Sequence, residues 1–497
     1  MTLEHEIKFA PGPLFRIPDL EGVHPGLRAE PTTTIKLQAS YFDTADLRLA
    51  RAGASLRYRN VEGWTVKLPV ARDAASLTRR ELHVDGDPGE PPDAALDLVR
   101  ALARSAPLVA IARLDTLRKC VVLRDEHGTK IGEAVDDEVS LLEGMHLAAR
   151  FRELEIEFDE TAAPAVVAAL VARLRAAGAG APDPVPKIVR ALGPRAADPA
   201  DVIRPSPLDF ASTPADVIQA AIANSTLRLI AHDPGVRLGA DPESVHQARV
   251  ATRRLRSDLR TFQRVLDENW STPIRSELSW LAALLGAVRD TEVLLDRLEG
   301  RLAGLPPGDV DDAKTLLGLL AERREHARVE LLAAMRSDRY VALLDRLVDA
   351  ARAPRFAPDS GPDTGDDDDD ELSDFVRRPW RKLRRTVESF GPDPADHELH
   401  LVRIHAKRVR YAAEAVAPAL GKEVRRFARA MTEVQDVLGE HQDAVFAGEW
   451  LRTHASGPAA FVAGELVAME REAARVARER WPEAWKRASR KQLRRWM

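Results

Sequence analysis

The residues best suited to chemistry begin with a basic motif that occurs twice in the chain. The first copy starts at His246 and the second at His400, about 150 residues later. Within each copy the basic residues recur at the spacing of helical turns. Their cationic side chains are His246, Arg249, Arg253, Arg254, Arg256 and Arg260 in the first copy, and His400, Arg403, Lys407, Arg408 and Arg410 in the second. Arginine and lysine form charge-assisted hydrogen bonds with phosphate oxygens. Two such rows predict a long anionic partner.

Apolar residues occupy the opposite side of each basic motif. In the first copy Val245, Leu255 and Leu259 lie mostly away from the cations, which predicts a helix with one face in a core and a cationic stripe outside. A Leu-Gly pair follows each copy, at Leu285-Gly286 and Leu438-Gly439, with nearly the same offset as the histidines. We interpret this as an internal repeat related by a pseudo-twofold axis, with the two basic helices side by side.

A second chemically suggestive set, made of carboxylates, lies near the N-terminus. Glu4 and Glu6 share a strand face with Lys8, and Glu153, Glu155 and Glu157 share another, while Asp136 ends a third run. Clustered carboxylates are unfavourable unless a cation compensates them. Hard divalent ions prefer oxygen ligands, so Mg²⁺ or Mn²⁺ is the expected cofactor.

Basic side chains on neighbouring strand patterns oppose these acids. They are Arg57, Arg59, Lys67, Arg79 or Arg80, Arg118, and at the edge of the domain Lys187 and Arg190. Acids on one wall and bases on another fit a metal-bound chain of phosphates, with bases holding oxygens and acids holding metal. The alternative, a charged strand face that meets water, is favoured for any single strand but not for the whole set.

Strands with a few helices must position these charges. Period-2 patterns fill residues 1 to about 160, which predicts an α+β domain, and a closed barrel would place the charged faces inside. Pro182 to Pro214 mark a boundary, after which helical spacing predicts an all-α domain. An acidic stretch at about 354–371, with five consecutive aspartates, is predicted to be a solvated loop.

Composition narrows the class of protein. The 497 residues carry a net charge of −5, so the chain as a whole is not a general binder of polyanions. Cys120 is the single cysteine, which excludes a disulfide framework. Without a signal or membrane-spanning pattern, we expect a cytoplasmic protein with no membrane partner. Aromatic residues make up only 5%, which disfavours nucleic acid as the polyanion.

Several N-terminal motifs together resemble the CYTH superfamily, the triphosphate tunnel metalloenzymes. They are Glu4-His5-Glu6-Ile7-Lys8, Tyr41-Phe42-Asp43-Thr44, Leu56-Arg57-Tyr58-Arg59, Trp64-Thr65-Val66-Lys67-Leu68-Pro69 and Glu153-Leu154-Glu155-Ile156-Glu157. The resemblance covers residues 1–200 and implies an antiparallel eight-stranded tunnel that binds triphosphate and divalent metal.

Carried over, the resemblance gives each residue a role. The expected metal ligands or water-activating acids are Glu4, Glu6, Asp136, Glu153 and Glu155. Which two of Glu153, Glu155 and Glu157 would meet the metal is left open. Lys8, Arg57, Arg59, Lys67, Arg118 and Lys187 would hold phosphates, and Lys8 would also assist or orient the attacking water. Hydrolysis of a triphosphate is the expected reaction. Adenylate cyclase activity and a non-catalytic binding protein are the alternatives.

The duplicated His/Arg helix with its Leu-Gly motif resembles the CHAD domain, the conserved histidine α-helical domain. The resemblance covers residues 205–497 and implies a helical bundle that binds inorganic polyphosphate and has no catalytic role. It also implies a protein that could associate with polyphosphate granules. The halves differ after the Leu-Gly pair, where Arg289-Asp290 corresponds to Gln442-Asp443, so we expect unequal contributions.

Overall fold

The chain forms two compact units. A computed structural model describes residues 2–72, 77–144, 146–159, 162–358 and 372–497, with only the backbone described at 2–4, 71, 72 and 77. The first unit is Met1–Asp201 and the second is Val202–Met497.

The first unit is built on nine β-strands. They are β1 (Thr2–Phe9), β2 (Arg28–Ala29), β3 (Thr33–Asp43), β4 (Ser55–Arg59), β5 (Gly63–Arg72), β6 (Leu77–Val84), β7 (Val109–Arg124), β8 (Lys130–Glu143) and β9 (His146–Phe158). Eight of them pair in the antiparallel order β7-β3-β4-β5-β6-β1-β9-β8, and β8 pairs back with β7. The ring is therefore closed, which confirms the predicted eight-stranded antiparallel barrel.

The alternation of side chains sorts charge inside the barrel and apolar groups outside it. On β9, Leu154, Ile156 and Phe158 pack outward in a core that includes Leu170 and Leu174. These two leucines belong to α3 (Pro164–Ala176), which covers one side of the barrel. The odd-numbered residues between them on β9 are left to face the interior. The remaining helices of this unit are α1 (Arg48–Arg51), α2 (Asp93–Ala103) and α4 (Lys187–Leu192).

The second unit is helical throughout its described residues. Its helices are α5 (Pro214–Leu238), α6 (Pro242–Thr261), α7 (Glu268–Arg301), α8 (Val310–Arg336), α9 (Asp338–Arg352), α10 (Asp374–Glu388), α11 (Asp396–Leu420), α12 (Lys422–His454) and α13 (Ala459–Ala488). The predicted all-α class is thereby confirmed. Residues 359–371, most of the predicted acidic loop, lie outside the described residues. None of the described helices is long and apolar enough to cross a membrane.

The internal repeat appears as a shared order of elements. In each half a basic helix is followed by a long helix that carries the Leu-Gly pair: α6 then α7, and α11 then α12. The basic helices α6 and α11 contact each other directly. The start of α6 is defined by Asp241, whose side chain accepts a hydrogen bond from the backbone N–H of Glu243 at 2.9 Å. The repeat therefore brings its two cationic stripes together in one unit.

Gly132 on β8 allows the barrel wall to close next to an acidic interior position. A Cβ atom at this glycine would lie 2.3 Å from the carbonyl oxygen of Glu157 on β9. We expect Gly132→Ala to destabilise the first unit by about 1–3 kcal/mol, because the two paired strands would have to separate. Calorimetric melting measures this, with Gly12→Ala as the control, since a Cβ at Gly12 meets nothing within 4 Å. Equal melting of both variants would contradict the expectation.

Candidate functional site

The barrel encloses a polar cavity of about 300 Å³. Alternation along each strand turns every second residue inward, so side chains distant in sequence converge there. Ten of the residues singled out from the sequence line this cavity: Glu6, Lys8, Arg57, Arg59, Lys67, Arg79, Arg118, Glu155, Glu157 and Lys187. The structure thus brings the predicted acidic and basic sets together in one tunnel.

Lys8 is buried among carboxylates. Its Nζ lies 3.3 Å from Glu6 Oε2 and 3.5 Å from Glu153 Oε1, and it donates a hydrogen bond to Glu155. Burial opposes the charged form, but Glu153, Glu155 and Glu6 outweigh it and raise the pKa of Lys8 well above its usual value. Lys8 is therefore an ammonium group that can donate and orient but not accept a proton.

Glu153 and Glu155 are two residues apart on β9 but have opposite pKa shifts. Burial, with the nearby charge of Glu155, raises the pKa of Glu153 to about 7. At Glu155 burial acts in the same direction, but Lys187, Lys8 and Arg118 outweigh it and hold the pKa well below its usual range. Neither carboxylate oxygen of Glu153 has a hydrogen-bond partner among the described residues. Such a buried acceptor set is available to a cation or a proton.

Three acidic side chains offer a place for a divalent cation. One oxygen each of Glu6, Glu155 and Glu157 lies within 4.8 Å of the others. Oxygen-only ligands suit a hard ion such as Mg²⁺ or Mn²⁺. The donor set, together with the unsatisfied oxygens of Glu153, fits a divalent metal on the acidic side of the cavity.

Each base of the opposite wall is matched by an acid within the tunnel. Glu62 lies 3.1 Å from Arg57 and also binds Arg59, and Glu81 lies 3.1 Å from Lys67. Burial opposes ionisation of Glu62, but Arg57 and Arg59 outweigh it and lower its pKa to about 2. These carboxylates occupy the positions where phosphate oxygens would bind the same cations.

Two further bases of the tunnel, Arg118 and Lys187, share Asp137. Arg118 donates to both oxygens of Asp137 at 2.9 and 2.8 Å, and Lys187 Nζ donates to the same carboxylate. Lys187 also lies 3.4 Å from Glu155 Oε1. Burial opposes its charge, but Asp137, Glu155 and Glu153 outweigh it and raise the pKa of Lys187. Both bases are therefore held charged inside the tunnel.

Several residues assigned from the sequence do not join the cavity. Asp136 accepts hydrogen bonds from Arg152 at 2.7 and 2.6 Å on the opposite face of β8, because its neighbour Asp137 takes the inward position. On β6 the inward residue is Arg79, which leaves Arg80 on the other face. Arg190 pairs with Asp183 at 2.7 Å, away from the cavity lining. The side chain of Glu4 lies outside the described residues.

Sequence reasoning missed several inward-facing groups, and four of them contact the predicted bases or lie beside them. They are Tyr41, Glu62, Glu81 and Asp137. Alternation from Arg79 could have identified Glu81, two residues further along β6. Asp137 needed the strand register, because a slip of one residue exchanges its face with that of Asp136. Glu62 lies in the turn between β4 and β5, where no periodic pattern assigns a direction.

The second site is a cationic cluster between α6 and α11. Burial, together with the positive charges of Arg253, Arg403, Arg249 and Arg410, lowers the pKa of Lys407 to about 7. Both helices thus contribute to one group of like charges. Within it the described residues provide few acids, and a polyanion would relieve the repulsion.

Equivalent partners from α7 and α12 border this cluster. Arg249 binds Asp290 at 2.6 Å, and Arg403 lies 4.0 Å from Asp443, which follows the second Leu-Gly pair at the equivalent position. A Cβ at Gly439 would be 3.4 Å from Arg403 Nη2, so the small residue leaves room for the guanidinium group. The Leu-Gly motif therefore packs beneath the basic stripe.

The two histidines of the repeat have different surroundings. His400 Nδ1 lies 2.8 Å from Gln442 Oε1. In the first half Arg289 occupies the position of Gln442, and His246 has a lowered pKa owing to burial, with Arg289, Arg253 and Arg249 acting in the same direction. Without a polyanion, His246 is therefore held neutral at pH 7. The two histidines therefore have different neighbours, in line with the sequence difference between Arg289 and Gln442.

The remaining basic residues lie in two other settings. Arg254 binds Glu414 and lies over the ring of Tyr411, so it has partners within the unit. Arg256 and Arg260 lie near Arg275, whose pKa is lowered by burial and by those two arginines. Burial and the charge of Arg260 also lower the pKa of Arg408. The predicted stripe is thus divided into a central cluster and a second group towards the end of α6.

Relatives of known sequence extend over nearly the whole chain. The uncharacterized proteins MT2285 and Rv2226, from two strains of Mycobacterium tuberculosis, are each 32% identical over 487 residues, which covers 93% of this chain and 91% of theirs. Two solved structures are also similar. PptA from Streptomyces chartreusis shows 24% identity and a TM-score of 0.46 over 55% of this chain and 100% of its own. The CHAD domain from the plant Ricinus communis shows 25% identity and a TM-score of 0.43 over 56% and 96%.

Family comparison assigns both units. Residues 2–187 match the CYTH domain, and residues 220–452 match the CHAD domain. CYTH proteins are metal-dependent triphosphate tunnel enzymes, either hydrolases or cyclases, and CHAD domains are associated with polyphosphate. The chain therefore belongs to the family of proteins in which a CYTH domain is followed by a CHAD domain.

Proposed function

We propose that the tunnel hydrolyses tripolyphosphate or another triphosphate and that the helical unit binds inorganic polyphosphate. One observation carries the enzymatic part: a single cavity holds Glu6, Glu155 and Glu157 with oxygens within 4.8 Å and, opposite them, a wall of arginines and lysines. A chain of phosphates with a divalent cation needs both sets at once.

The basic wall would bind and orient the substrate. Arg57, Arg59 and Lys67 release their internal acids, Glu62 and Glu81, in exchange for phosphate oxygens, and the planar arginines can hold two oxygens each. Arg118 and Lys187, already held charged beside Asp137, would bind further phosphate oxygens in the same cavity. Positioning of this kind supplies much of the catalysis in phosphoryl transfer.

The acidic side would hold the metal. Glu6, Glu155 and Glu157 are the ligands we assign to it, and Glu153 lies next to them with unsatisfied oxygens. A divalent cation bound there would neutralise charge on the phosphates and polarise the bond that is cut.

Hydrolysis requires a water oxygen to bond to phosphorus as the P–O bond to the leaving phosphate breaks. Lys8, held as an ammonium group by Glu6, Glu153 and Glu155, can orient that water but cannot take its proton. The proton must pass to a carboxylate, and we assign this role to Glu153, which lies 3.5 Å from Lys8 Nζ and whose pKa is raised by burial and by the charge of Glu155. The leaving phosphate departs with its charge compensated by the basic wall.

The helical unit would bind polyphosphate through the α6–α11 cluster. Arg249, Arg253, Arg403 and Arg410 lie close enough to Lys407 that their charges add to burial in lowering its pKa. A flexible polyphosphate chain, which has no bases to be recognised, can bind to such a cationic surface through its phosphate oxygens alone. Through it the protein could dock on polyphosphate granules, where substrate is concentrated.

Replacement of a single acid tests the enzymatic proposal. We expect Glu6→Gln to lower metal-dependent phosphate release from tripolyphosphate by on the order of a hundredfold or more, because an inward carboxylate is lost while its shape remains. Tripolyphosphate, ATP, thiamine triphosphate and long polyphosphate, each with Mg²⁺ or Mn²⁺, form the assay panel. Glu138→Gln, an exposed change on the same barrel, is the control.

The panel also separates the alternatives. Cyclic AMP formed from ATP in place of phosphate release would identify a cyclase. No turnover of any substrate by the wild-type protein would identify a pure binding protein. Undiminished hydrolysis by a folded Glu6→Gln variant would refute the assigned role.

Removal of an internal competitor tests the phosphate-binding wall. Glu62→Gln should lower KM for tripolyphosphate by about twofold to tenfold, since substrate no longer displaces a carboxylate from Arg57 and Arg59. Steady-state kinetics measure KM and kcat separately. Glu30→Gln, which breaks an ion pair with Arg124 outside the tunnel lining, should leave KM unchanged. A higher KM in Glu62→Gln would show that this acid organises the wall and does not compete with substrate.

Lys407 should couple polyphosphate binding to pH. Its pKa is about 7 in the free protein, and a bound polyanion raises it, so binding takes up a proton above neutral pH. Affinity should be highest below pH 7 and fall by up to about tenfold per pH unit as pH rises towards the pKa in the complex. Lys407→Arg should flatten this profile, as measured by titration calorimetry in buffers of different ionisation enthalpy. An identical profile in both proteins would exclude Lys407 as the coupled group.

A further inference from the structure

The helix α10 carries a basic surface that lies outside the duplicated motif. Arg378, Arg381, Lys382 and Arg385 border one open groove on this helix, together with Thr386 and Ser389. Their spacing of three and four residues places them on one face, and about 10.5 Å along the axis separates Arg378 from Arg385. This row is about half as long as the stripe from His246 to Arg260 on α6, which extends over about 21 Å.

The α10 surface continues onto the two basic helices. A cavity of about 210 Å³ is lined jointly by Arg260 of α6, Arg264 in the turn that follows it, Arg378 and Lys382 of α10, and Arg408 of α11. His405 lies below this junction, with its Nδ1 3.0 Å from Thr386 Oγ1 of α10. Three helices therefore meet at one cationic pocket.

Few acids compensate this pocket within the described residues. The one carboxylate in its lining, Asp374, is already bound by Arg377. Arg381, Lys382 and Arg385 take part in no ion pair in the described part of the chain. Burial and the charges of Arg408, Lys382 and Arg260 lower the pKa of His405 to about 4. The pocket therefore keeps an excess of positive charge that an anion would neutralise.

We propose that α10 is a third phosphate-binding segment, which extends the α6–α11 site so that long polyphosphate chains bind more tightly than short ones. The inference rests on the proposed binding of polyphosphate by the helical unit and adds a determinant of chain length. A short chain can satisfy the central cluster at Arg253 and Lys407. A longer chain can also reach Arg260 and Arg408 and follow α10 past Lys382 to Arg385.

The chemistry of the pocket favours a polymer without bases. Phe375 and Trp380, the aromatic residues of α10, are 7% and 3% exposed, so they present no face for base stacking. Apart from the Asp374 carboxylate, the polar lining groups are guanidinium, ammonium, amide and hydroxyl groups, all of which can donate hydrogen bonds to phosphate oxygens. RNA would gain only backbone contacts here.

The test compares affinities for short and long polyphosphate in the full-length protein. The triple variant Arg381→Gln, Lys382→Gln, Arg385→Gln changes three exposed side chains. We expect it to bind long chains about tenfold more weakly, with a shallower salt dependence, and to bind short chains as the wild type does. The charge-matched control is Arg323→Gln, Arg471→Gln, Arg480→Gln, whose exposed residues lie on α8 and α13. Arg381→Lys, Arg385→Lys keeps the charge and should bind long chains normally.

Each outcome separates the inference from the proposed function. If the wild-type protein binds no polyphosphate, the proposed function of the helical unit fails. If the wild type binds but the α10 triple variant retains full long-chain affinity, or loses short and long chains equally, the extension is wrong. Selective loss of single-stranded RNA binding, with polyphosphate unaffected, would replace polyphosphate by nucleic acid. Thermal melting confirms that each variant is folded.

Discussion

The buried Lys8, held among three glutamates, is the interaction on which the tunnel depends. An isolated ammonium group could not remain charged at 2% exposure, and the neighbouring carboxylates of Glu153, Glu155 and Glu6 keep it so. The same constraint explains Asp137 beneath Arg118 and Lys187. Charge inside the barrel is stable only as a matched set, so the interior exists as interlocking ion pairs contributed by β1, β6, β7, β8, β9 and α4.

Much of this set could be predicted from the sequence, because a strand turns alternate residues to one side. The faces of Glu6 and Lys8, of Arg57 and Arg59, and of Glu155 and Glu157 needed only that rule. Asp136 shows where the rule stops, since two adjacent acids differ only by strand register, which depends on pairing with β7 and β9. Glu62 shows a second limit, because a turn has no period and its direction comes from the arginines that it contacts.

In the helical unit the prediction had a similar reach. Helical spacing and the internal repeat identified the basic helices α6 and α11 with their cationic stripes. The spacing of four residues between Arg249 and Arg253 was enough to place both on one face of α6. It could not show that Arg254 turns to Glu414, or that α10 joins Arg260 and Arg408. Those contacts are tertiary. The basic run on α10 has no counterpart in the first half, so the repeat gave no reason to select it.

The two sites differ in how fully acidic side chains compensate their positive charge, and this difference bears on the ligands that each could bind. In the tunnel each base has an internal acid, so a ligand must supply more negative charge than Glu62 and Glu81 do, and a triphosphate with its metal does so in a small volume. In the helical cluster Arg249, Arg403 and Arg410 have acidic partners, but burial and the surrounding arginines still lower the pKa of Lys407 to about 7. A polyanion bound there would gain by neutralisation along an extended surface, and its length would then matter more than its charge density. The tunnel is thus suited to selecting a compact anion, and the helical surface to retaining a long one.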